Sequence, residues 1–221
     1  MKAVLFDLDE TILDRTASLI DFANWQVQGM LQSDVADKSL FVNRFIELDA
    51  YGTVWKDKVY EILVNEFSIT QWSVSELLTS YELCFSGFCK PKQGVVQAIE
   101  ILKKQGYKIA LVSNGKSPFQ ERNFRSLGIS HLFDLVIVSG AVGLRKPDKA
   151  IFELTCLKLA VKSEESIFVG DNPHADIRGA NTVGMNSIYI PGNYGGTCED
   201  ANAVCTNFID LPSIVTNVRK P

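Results

Sequence analysis

Four short stretches of the sequence hold most of the residues that could support catalysis. They are Asp7-Leu8-Asp9-Glu10-Thr11, Ser113-Asn114-Gly115, Arg145-Lys146-Pro147 and Gly170-Asp171-Asn172-Pro173-His174-Ala175-Asp176. Carboxylates can act as nucleophiles, as general acids or as ligands of a hard cation. The combination of several acids with one lysine and a Ser-Asn-Gly turn therefore indicates an active site rather than a structural feature.

The acids of these stretches predict a metal ion. If Asp7, Asp9, Asp171 and Asp176 converged, their carboxylates would repel one another and one of them would normally keep a proton. A bound hard cation removes that cost, and a set of oxygen ligands with room for water favours Mg²⁺. Lys146 would add positive charge without binding the metal. We therefore expect Mg²⁺ as the cofactor.

Short apolar runs precede these stretches and are typical of buried parallel strands. The predicted strands are Ala3–Phe6, Ile109–Val112, Leu135–Val138, Ile167–Val169 and Ser187–Ile190. Helical patterns lie between most of them, at Gln93–Gln105, from Ser117 to about Gly128, at Pro147–Ala160 and at Pro173–Gly184. Alternating strands and helices predict an α/β fold with a doubly wound parallel sheet. Ligands of such sheets bind beyond the carboxyl ends of the strands, so the four stretches should meet at one edge.

The start of one predicted helix matches a known local pattern. Ser117, Pro118 and Gln120 fit an N-cap residue, a first-turn proline and a capping-box glutamine. The sequence therefore predicts that the Gln120 side chain closes a capping box at the helix start.

The connection between the first two strands is far longer than the single helix that a crossover needs. Three helical patterns occupy it, at Thr16–Leu31, Val54–Phe67 and Ser73–Phe85. The last begins with a capping box of Ser73 and Glu76. We predict a Rossmann-like catalytic core at residues 1–15 and 89–221, with an inserted all-helical cap domain at residues 16–88.

Charged residues of the insertion allow more than one interpretation. Arg44, Lys56 and Lys58 either face the catalytic edge or lie in solvent. Asp14 and Arg15, where the insertion begins, fit hinge or salt-bridge residues better than catalysts.

The composition is that of an ordinary globular protein, with 46% hydrophobic and 22% charged residues and a net charge of −4. The acidic balance argues against a nucleic acid polymer as partner. The sequence contains no signal-peptide pattern and no apolar run near the roughly 18 residues of a membrane helix. We expect a cytoplasmic monomer or homodimer without a membrane partner.

Other phosphate and metal motifs are absent from the sequence. It has no GxxxxGK[ST] loop, no Cys-x₅-Arg loop and no GxSxG nucleophile elbow. A calcium loop that starts at Asp7 would need Glu at its twelfth position, where Ser18 stands.

In order and spacing, the four stretches resemble the motifs of the haloacid dehalogenase-like (HAD) superfamily. DLDET resembles the first motif, VSNG the second, the lysine of KPD the third and GDNPHAD the fourth. The similarity covers nearly the whole chain and lies with the phosphatase branch that has a helical cap between motifs one and two. It implies a phosphoric monoester hydrolase that uses Mg²⁺ and acts on a small phosphorylated metabolite.

The resemblance also implies a role for each site residue. Asp7 would attack phosphorus and form an aspartyl-phosphate, while Asp9 would protonate the leaving oxygen and later activate water. Mg²⁺ would be bound by Asp7, the backbone carbonyl of Asp9 and Asp171, with Asp176 as a supporting residue. The phosphoryl group would be held by Asp7, Leu8, Asp9, Ser113, Asn114, Gly115 and Lys146. His174 is expected to be a bystander.

Three other activities stay open at this point. A HAD dehalogenase would also use Asp7, but that branch has no second acid such as Asp9. A phosphoglucomutase-like phosphotransferase would keep both aspartates, and a non-catalytic binding module would keep the fold without turnover. Among phosphatases, similar capped members act on nucleotides or sugar phosphates, so we expect a nucleoside monophosphate or a sugar phosphate as substrate.

Overall fold

The computed structural model describes residues 1–192 and 196–218, and these separate into two compact units. One unit consists of Met1–Asp14 together with Pro91–Pro221, and the other is Arg15–Lys90. The domain boundaries predicted from the sequence, after residue 15 and before residue 89, stay a prediction about which segments form separate domains.

A parallel sheet forms the centre of the first unit. Its strands are β1 Ala3–Phe6, β2 Lys108–Ser113, β3 Leu135–Val138, β4 Ser166–Gly170, β5 Asn186–Tyr189 and β6 Ala203–Val204, in the order β3-β2-β1-β4-β5-β6. All neighbouring strands pair in parallel. The five predicted strands and the parallel sheet are confirmed, with strand ends shifted by at most one residue. The short edge strand β6 was not predicted.

The register of the sheet sets the position of the motifs. Phe6 in β1 lies beside Leu111 of β2 and Val169 of β4. The Asp7 N–H continues this pattern by donating to the Val169 carbonyl at 3.0 Å. The segments that follow β1, β2 and β4 therefore emerge side by side at the carboxyl edge.

Helices connect the strands and form most of the second unit. The α-helices of the described residues are α1 Arg15–Gly29, α2 Lys38–Asp49, α3 Lys56–Glu66, α4 Val74–Cys84, α5 Val95–Lys104, α6 Phe119–Ser126, α7 Ser139–Val142, α8 Lys149–Leu159, α9 Gly179–Thr182 and α10 Leu211–Asn217. A π-helical turn at Pro173–Arg178 precedes α9, where one continuous helix was predicted. Short 3-10 turns lie at Ala50–Gly52, Phe85–Phe88, Ser130–Leu132, Ser163–Glu165 and Phe208–Asp210.

Both faces of the sheet are covered, as a doubly wound fold requires. Leu5 of β1 packs in one cluster with Ile151 and Phe152 of α8. Side chains alternate along a strand, so the next residue, Phe6, lies on the opposite face and contacts the Phe133 ring. Strands that are buried on both faces account for the uninterrupted apolar runs in the sequence.

The start of α6 differs from the prediction. Its N-cap is Pro118, which makes no side-chain cap hydrogen bond. The Ser117 hydroxyl donates to Glu121 at 2.6 Å instead of accepting from the helix start. The predicted capping box of Ser117 and Gln120 is therefore wrong, and the Gln120 side chain has other partners.

The second unit is built from α1 to α4. Its aromatic core includes Phe22, whose ring contacts Tyr81, Phe85 and Phe88 in edge-to-face geometry. The capping box of Ser73 and Glu76 at the start of α4 is confirmed. Helix α2 was not predicted.

A buried ion cluster connects α1, α2 and α3 of this unit. The Arg15 guanidinium donates to both Asp49 carboxylate oxygens, at 2.7 and 2.8 Å, and the Lys56 ammonium contacts the same carboxylate. The Gly52 N–H adds a further hydrogen bond to Asp49 at 2.8 Å. Arg15 thus takes the salt-bridge role that the sequence allowed. Lys56 is buried, so the interpretation of it as a solvated lysine is wrong.

The other two cations of the insertion lie at its surface. Arg44 pairs with Glu47 and Glu66, and Lys58 pairs with Glu61. Exposed pairs of this kind contribute little to stability.

The chain leaves and re-enters the first unit at neighbouring backbone positions. Leu13 forms an antiparallel bridge with Pro91, and the Lys92 N–H donates to the Ile12 carbonyl at 3.0 Å. The two ends of the 76-residue excursion Arg15–Lys90 are therefore joined by backbone hydrogen bonding.

Among the described residues, the helices are too short or too polar for any of them to cross a membrane.

Candidate active site

Three of the four predicted acids and the predicted lysine meet at the carboxyl edge of the sheet. Asp7 directly follows β1, Asp171 directly follows β4, and Asp176 lies in the π-helical turn after it. Lys146 comes from the loop between α7 and α8. All four side chains are buried, with at most 7% of any of these residues exposed.

Lys146 bridges two of the acids. Its Nζ lies 2.5 Å from Asp7 Oδ1 and 2.7 Å from Asp176 Oδ1. The other oxygen of Asp176 accepts from the Asn172 N–H at 3.0 Å. Asp176 therefore contacts the lysine, and its supporting role stays a prediction.

Three carboxylates lie close enough to share one cation. Asp7, Asp171 and Asp176 each offer an oxygen, and these oxygens lie within 4.8 Å of one another. Thr11 Oγ1 lies 3.4 Å from an Asp7 oxygen and 3.5 Å from an Asp171 oxygen. A buried donor set made only of oxygen suits a hard divalent cation. The residues present therefore fit the metal that the sequence predicted.

The pKa values of the clustered acids also favour a bound cation. Burial, together with repulsion from Asp7 and Asp176, raises the pKa of Asp171 to about 9. Burial also raises the pKa of Asp7 to about 6, although Lys146 and the Leu8 N–H act to lower it. Three acids beside a single lysine carry more negative charge than the buried site stabilises, and a cation would remove this imbalance.

Lys146 keeps its positive charge in this environment. Burial alone would lower its pKa, but the Asp176 and Asp7 carboxylates outweigh burial and raise it above the ordinary lysine value. The lysine is therefore a fixed cation and not a proton donor at neutral pH.

The Asn114 side chain positions Lys146, a role that the sequence did not predict. Asn114 Nδ2 donates to the Lys146 carbonyl at 2.9 Å, and its Oδ1 accepts from the Lys146 N–H at 2.9 Å. This reciprocal pair fixes the lysine backbone to the end of β2. The sequence assigned Asn114 to phosphate binding alone, because a local pattern gives no sign of a partner 32 residues away.

The remaining predicted phosphate ligands lie nearby. Ser113 ends β2 and is 1% exposed, and Leu8 is fully buried beside Asp7. The Gly115 N–H donates to Ser139 Oγ at 2.9 Å. A role of this amide in binding phosphate stays a prediction. To bind phosphate, the Gly115 N–H would have to give up its hydrogen bond to Ser139.

Asp9 lies at the margin of the buried cluster and is partly exposed. Its Oδ2 accepts a hydrogen bond of 2.6 Å from Gln120 Nε2 in α6. His174 is exposed, and its N–H is capped by Asn172 Oδ1 at 3.0 Å.

Comparison with known proteins is consistent with this arrangement. The sequence model of the haloacid dehalogenase-like hydrolase family matches residues 4–190. The chain is similar to a glyceraldehyde 3-phosphate phosphatase of Methanopyrus kandleri, with 28% identity over 196 residues, which cover 86% of this chain and 84% of that protein.

Solved structures share the fold. A HAD phosphatase from Thermococcus onnurineus is similar over the full length of both chains, with a TM-score of 0.69 and 26% identity. The HAD-hydrolase YfnB from Bacillus subtilis, solved with magnesium bound, has a TM-score of 0.78 and 21% identity over 97% of this chain and 98% of its own. With four motifs at one sheet edge and a family match across most of its length, this chain belongs to the haloacid dehalogenase-like hydrolases.

Proposed function

We propose that this protein hydrolyses a phosphomonoester of a small metabolite through an aspartyl-phosphate on Asp7, with Mg²⁺ as cofactor. The observation that carries the proposal is the buried cluster of Asp7, Asp171 and Asp176 around Lys146. It combines a carboxylate held in place by a lysine with an excess of negative charge that a divalent cation would neutralise.

Asp7 would be the nucleophile. One of its oxygens bonds to phosphorus while the bond between phosphorus and the ester oxygen breaks. Lys146 holds the Asp7 side chain in one orientation, and its charge offsets the repulsion between the carboxylate and the phosphate dianion.

Asp9 would transfer the protons. It donates a proton to the ester oxygen as the alcohol leaves, and it then removes a proton from the water that attacks the aspartyl-phosphate. The second step breaks the bond between phosphorus and Asp7, which releases inorganic phosphate and restores both aspartates.

The metal would be held by the carboxylates of Asp7 and Asp171 and by the backbone carbonyl of Asp9. When bound, Mg²⁺ supplies positive charge to the phosphoryl oxygens and to the crowded carboxylates. Asp176 would act through its contact with Lys146.

A phosphorylated sugar or short polyol is the substrate class that we favour over a nucleoside monophosphate. The similarity to a protein named as a glyceraldehyde 3-phosphate phosphatase, over 86% of the chain, supports this choice.

The test is a phosphate-release assay over sugar phosphates, short polyol phosphates and nucleotides, without a bisphosphate co-substrate. We expect turnover with Mg²⁺, loss of turnover with EDTA and recovery when Mg²⁺ is added back. Asp7→Asn should reduce turnover by about 10⁴-fold or more, because loss of a nucleophile removes the covalent route. Hydrolysis that is unaffected by chelation, or that persists in Asp7→Asn, would contradict the proposal.

A further inference from the structure

Gln120 reaches from α6 into the candidate active site. Its side chain is buried, and its Nε2 lies 2.6 Å from Asp9 Oδ2 and 3.1 Å from Ser113 Oγ. Its Oε1 accepts a hydrogen bond of 3.1 Å from Asn123 Nδ2, one turn further along the helix. The oxygen of the Gln120 amide is therefore held by its own helix, while the nitrogen of the amide contacts residues of the first and second motifs.

The orientation of this amide follows from its surroundings. Nε2 also lies 3.4 Å from the Asn114 carbonyl oxygen. A backbone carbonyl can only accept hydrogen bonds, so the nitrogen of the amide must face this side. Because Nε2 carries two hydrogens, it can donate one hydrogen bond to Asp9 and one to Ser113.

The backbone around Gln120 is shaped to admit its side chain. A Cβ at Gly115 would lie 2.5 Å from Gln120 Cγ, which is closer than real side chains approach. A glycine at this position of the second motif therefore makes room for Gln120, in addition to any role in binding phosphate.

A purely structural glutamine would not need the contact with Asp9. Asn123 and Ser113 lie within seven residues of Gln120, whereas Asp9 is 111 residues away in sequence and partly exposed. The hydrogen bond from Gln120 therefore joins the Asp9 carboxyl group to α6 across this long sequence separation.

We propose that Gln120 is a positioning residue for Asp9. By holding Oδ2, it turns the Asp9 carboxyl so that Oδ1 delivers the proton to the departing ester oxygen while the phosphorus–oxygen bond breaks. This inference rests on the proposed phosphatase function, in which Asp9 is the general acid.

The dependence of the reaction rate on the leaving group distinguishes a positioning role of Gln120 from a structural one. Expulsion of p-nitrophenolate needs little help from a proton, whereas expulsion of the p-nitrobenzyl alkoxide depends on it. The two phosphate esters are nearly equal in size and shape, so the same pocket should admit both. The kcat/KM values report the steps up to phosphoryl transfer and exclude the later hydrolysis of the aspartyl-phosphate.

The experiment measures kcat/KM of both esters, with Mg²⁺, for the unsubstituted chain and for Gln120→Met, which keeps the side-chain length but removes the donor. We expect roughly a 10- to 100-fold loss for p-nitrobenzyl phosphate, because general acid catalysis typically contributes 10²–10⁴-fold. For p-nitrophenyl phosphate the loss should stay below about threefold, because proton donation contributes little there. Arg125→Ala, an exposed position on the same helix, should change neither value.

Asn123→Ala is a second variant, which tests the proposal even if Gln120→Met does not fold. It keeps Gln120 but removes the anchor on its Oε1, so it should give the same selective loss at smaller size. Thermal melting of each variant checks that the fold is intact. A selective loss in either folded variant supports the proposal.

Two results would overturn the inference in distinguishable ways. If the folded variants lose activity equally on both esters, or lose none, Gln120 is structural and the phosphatase proposal still stands. If the unsubstituted chain hydrolyses neither these esters nor any member of the metabolite panel, the proposed function fails and this inference fails with it.

Discussion

Within residues 1–192 and 196–218, we compare two buried charge clusters of opposite sign, one in each unit. At the sheet edge, the three acids Asp7, Asp171 and Asp176 share the single cation Lys146. In the helical unit, two cations, Arg15 and Lys56, share the single acid Asp49. Burial pushes the pKa of Asp49 and of Asp171 upward alike.

The resulting pKa values differ because Asp49 is paired with two cations, whereas Asp171 shares one cation with two other acids. Arg15 and Lys56 outweigh burial and bring the pKa of Asp49 below its ordinary value, whereas Asp171 is left with a pKa of about 9. A buried acid that is fully paired can stay charged inside the fold, and removing it would leave its cations buried without a partner. A buried acid whose pKa is raised this far would have to lose its proton at a cost, and a cation beside it would offset that cost.

The largest expected effect is on the stability of the helical unit. Asp49→Ala should lower its free energy of unfolding by about 3–5 kcal/mol, because the variant leaves two buried cations without their anion. Denaturant unfolding measures this change. Asp21→Ala, which breaks the exposed pair with Lys90, is the matched control and should have a much smaller effect. Equal losses would mean that the Asp49 cluster is as weak as a surface ion pair.

A somewhat smaller effect is expected from removing Lys146, the cation that bridges Asp7 and Asp176. Lys146→Met should reduce kcat/KM by roughly 10²–10³-fold, since one preorganised donor stabilises a transition state by about 3 kcal/mol. Steady-state kinetics with Mg²⁺ measure it, and Lys149→Met at an exposed position of α8 provides the control. Retained activity in Lys146→Met would remove the lysine from the mechanism.

The third substitution should change stability in the opposite direction. The pKa of Asp171 rises from 3.8 to about 9 on folding, so the folded chain keeps a proton that the unfolded chain has lost, and stability falls as pH rises between these values. In metal-free protein at pH 8, Asp171→Asn should therefore raise the Tm, because an amide has no negative charge to bury and no proton to retain. Near pH 4 the two proteins should melt together.

Thermal melting with and without Mg²⁺ completes this measurement. Mg²⁺ should raise the Tm of the unsubstituted chain at pH 8 but have little effect on Asp171→Asn, which has lost a ligand. Glu153→Gln, an exposed position on α8, controls for the loss of one negative charge. A destabilised Asp171→Asn would show that this carboxylate is satisfied without a metal.

The same contrast shows what the sequence could predict. The strands are visible because a sheet buried on both faces needs unbroken apolar runs, and the acids were assigned together because parallel strands end at one edge. Asp7, Lys146, Asp171 and Asp176 do meet there. Their roles in binding and catalysis stay predictions.

Other features depend on partners that are distant in sequence. Gln120 fits a local capping pattern, yet its side chain turns to Asp9, because tertiary hydrogen bonds override a local preference. Helix α2 is rich in aromatic and β-branched residues such as Phe41, Val42 and Phe45, which have weak helix propensity, and so it escaped prediction. The buried Lys56 pairs with Asp49, and no pattern in the sequence reveals that pairing.

The backbone pairing of Leu13 with Pro91 gives the helical insertion two ends that lie side by side. The entropy of closing a loop between fixed, adjacent ends grows only with the logarithm of its length. An insertion here can be lengthened, shortened or replaced by an unrelated one at little cost to the sheet. A different domain grafted between Leu13 and Pro91 would carry its own hydrophobic core. The carboxylates of Asp7, Asp171 and Asp176 and the ammonium of Lys146 would then keep their positions.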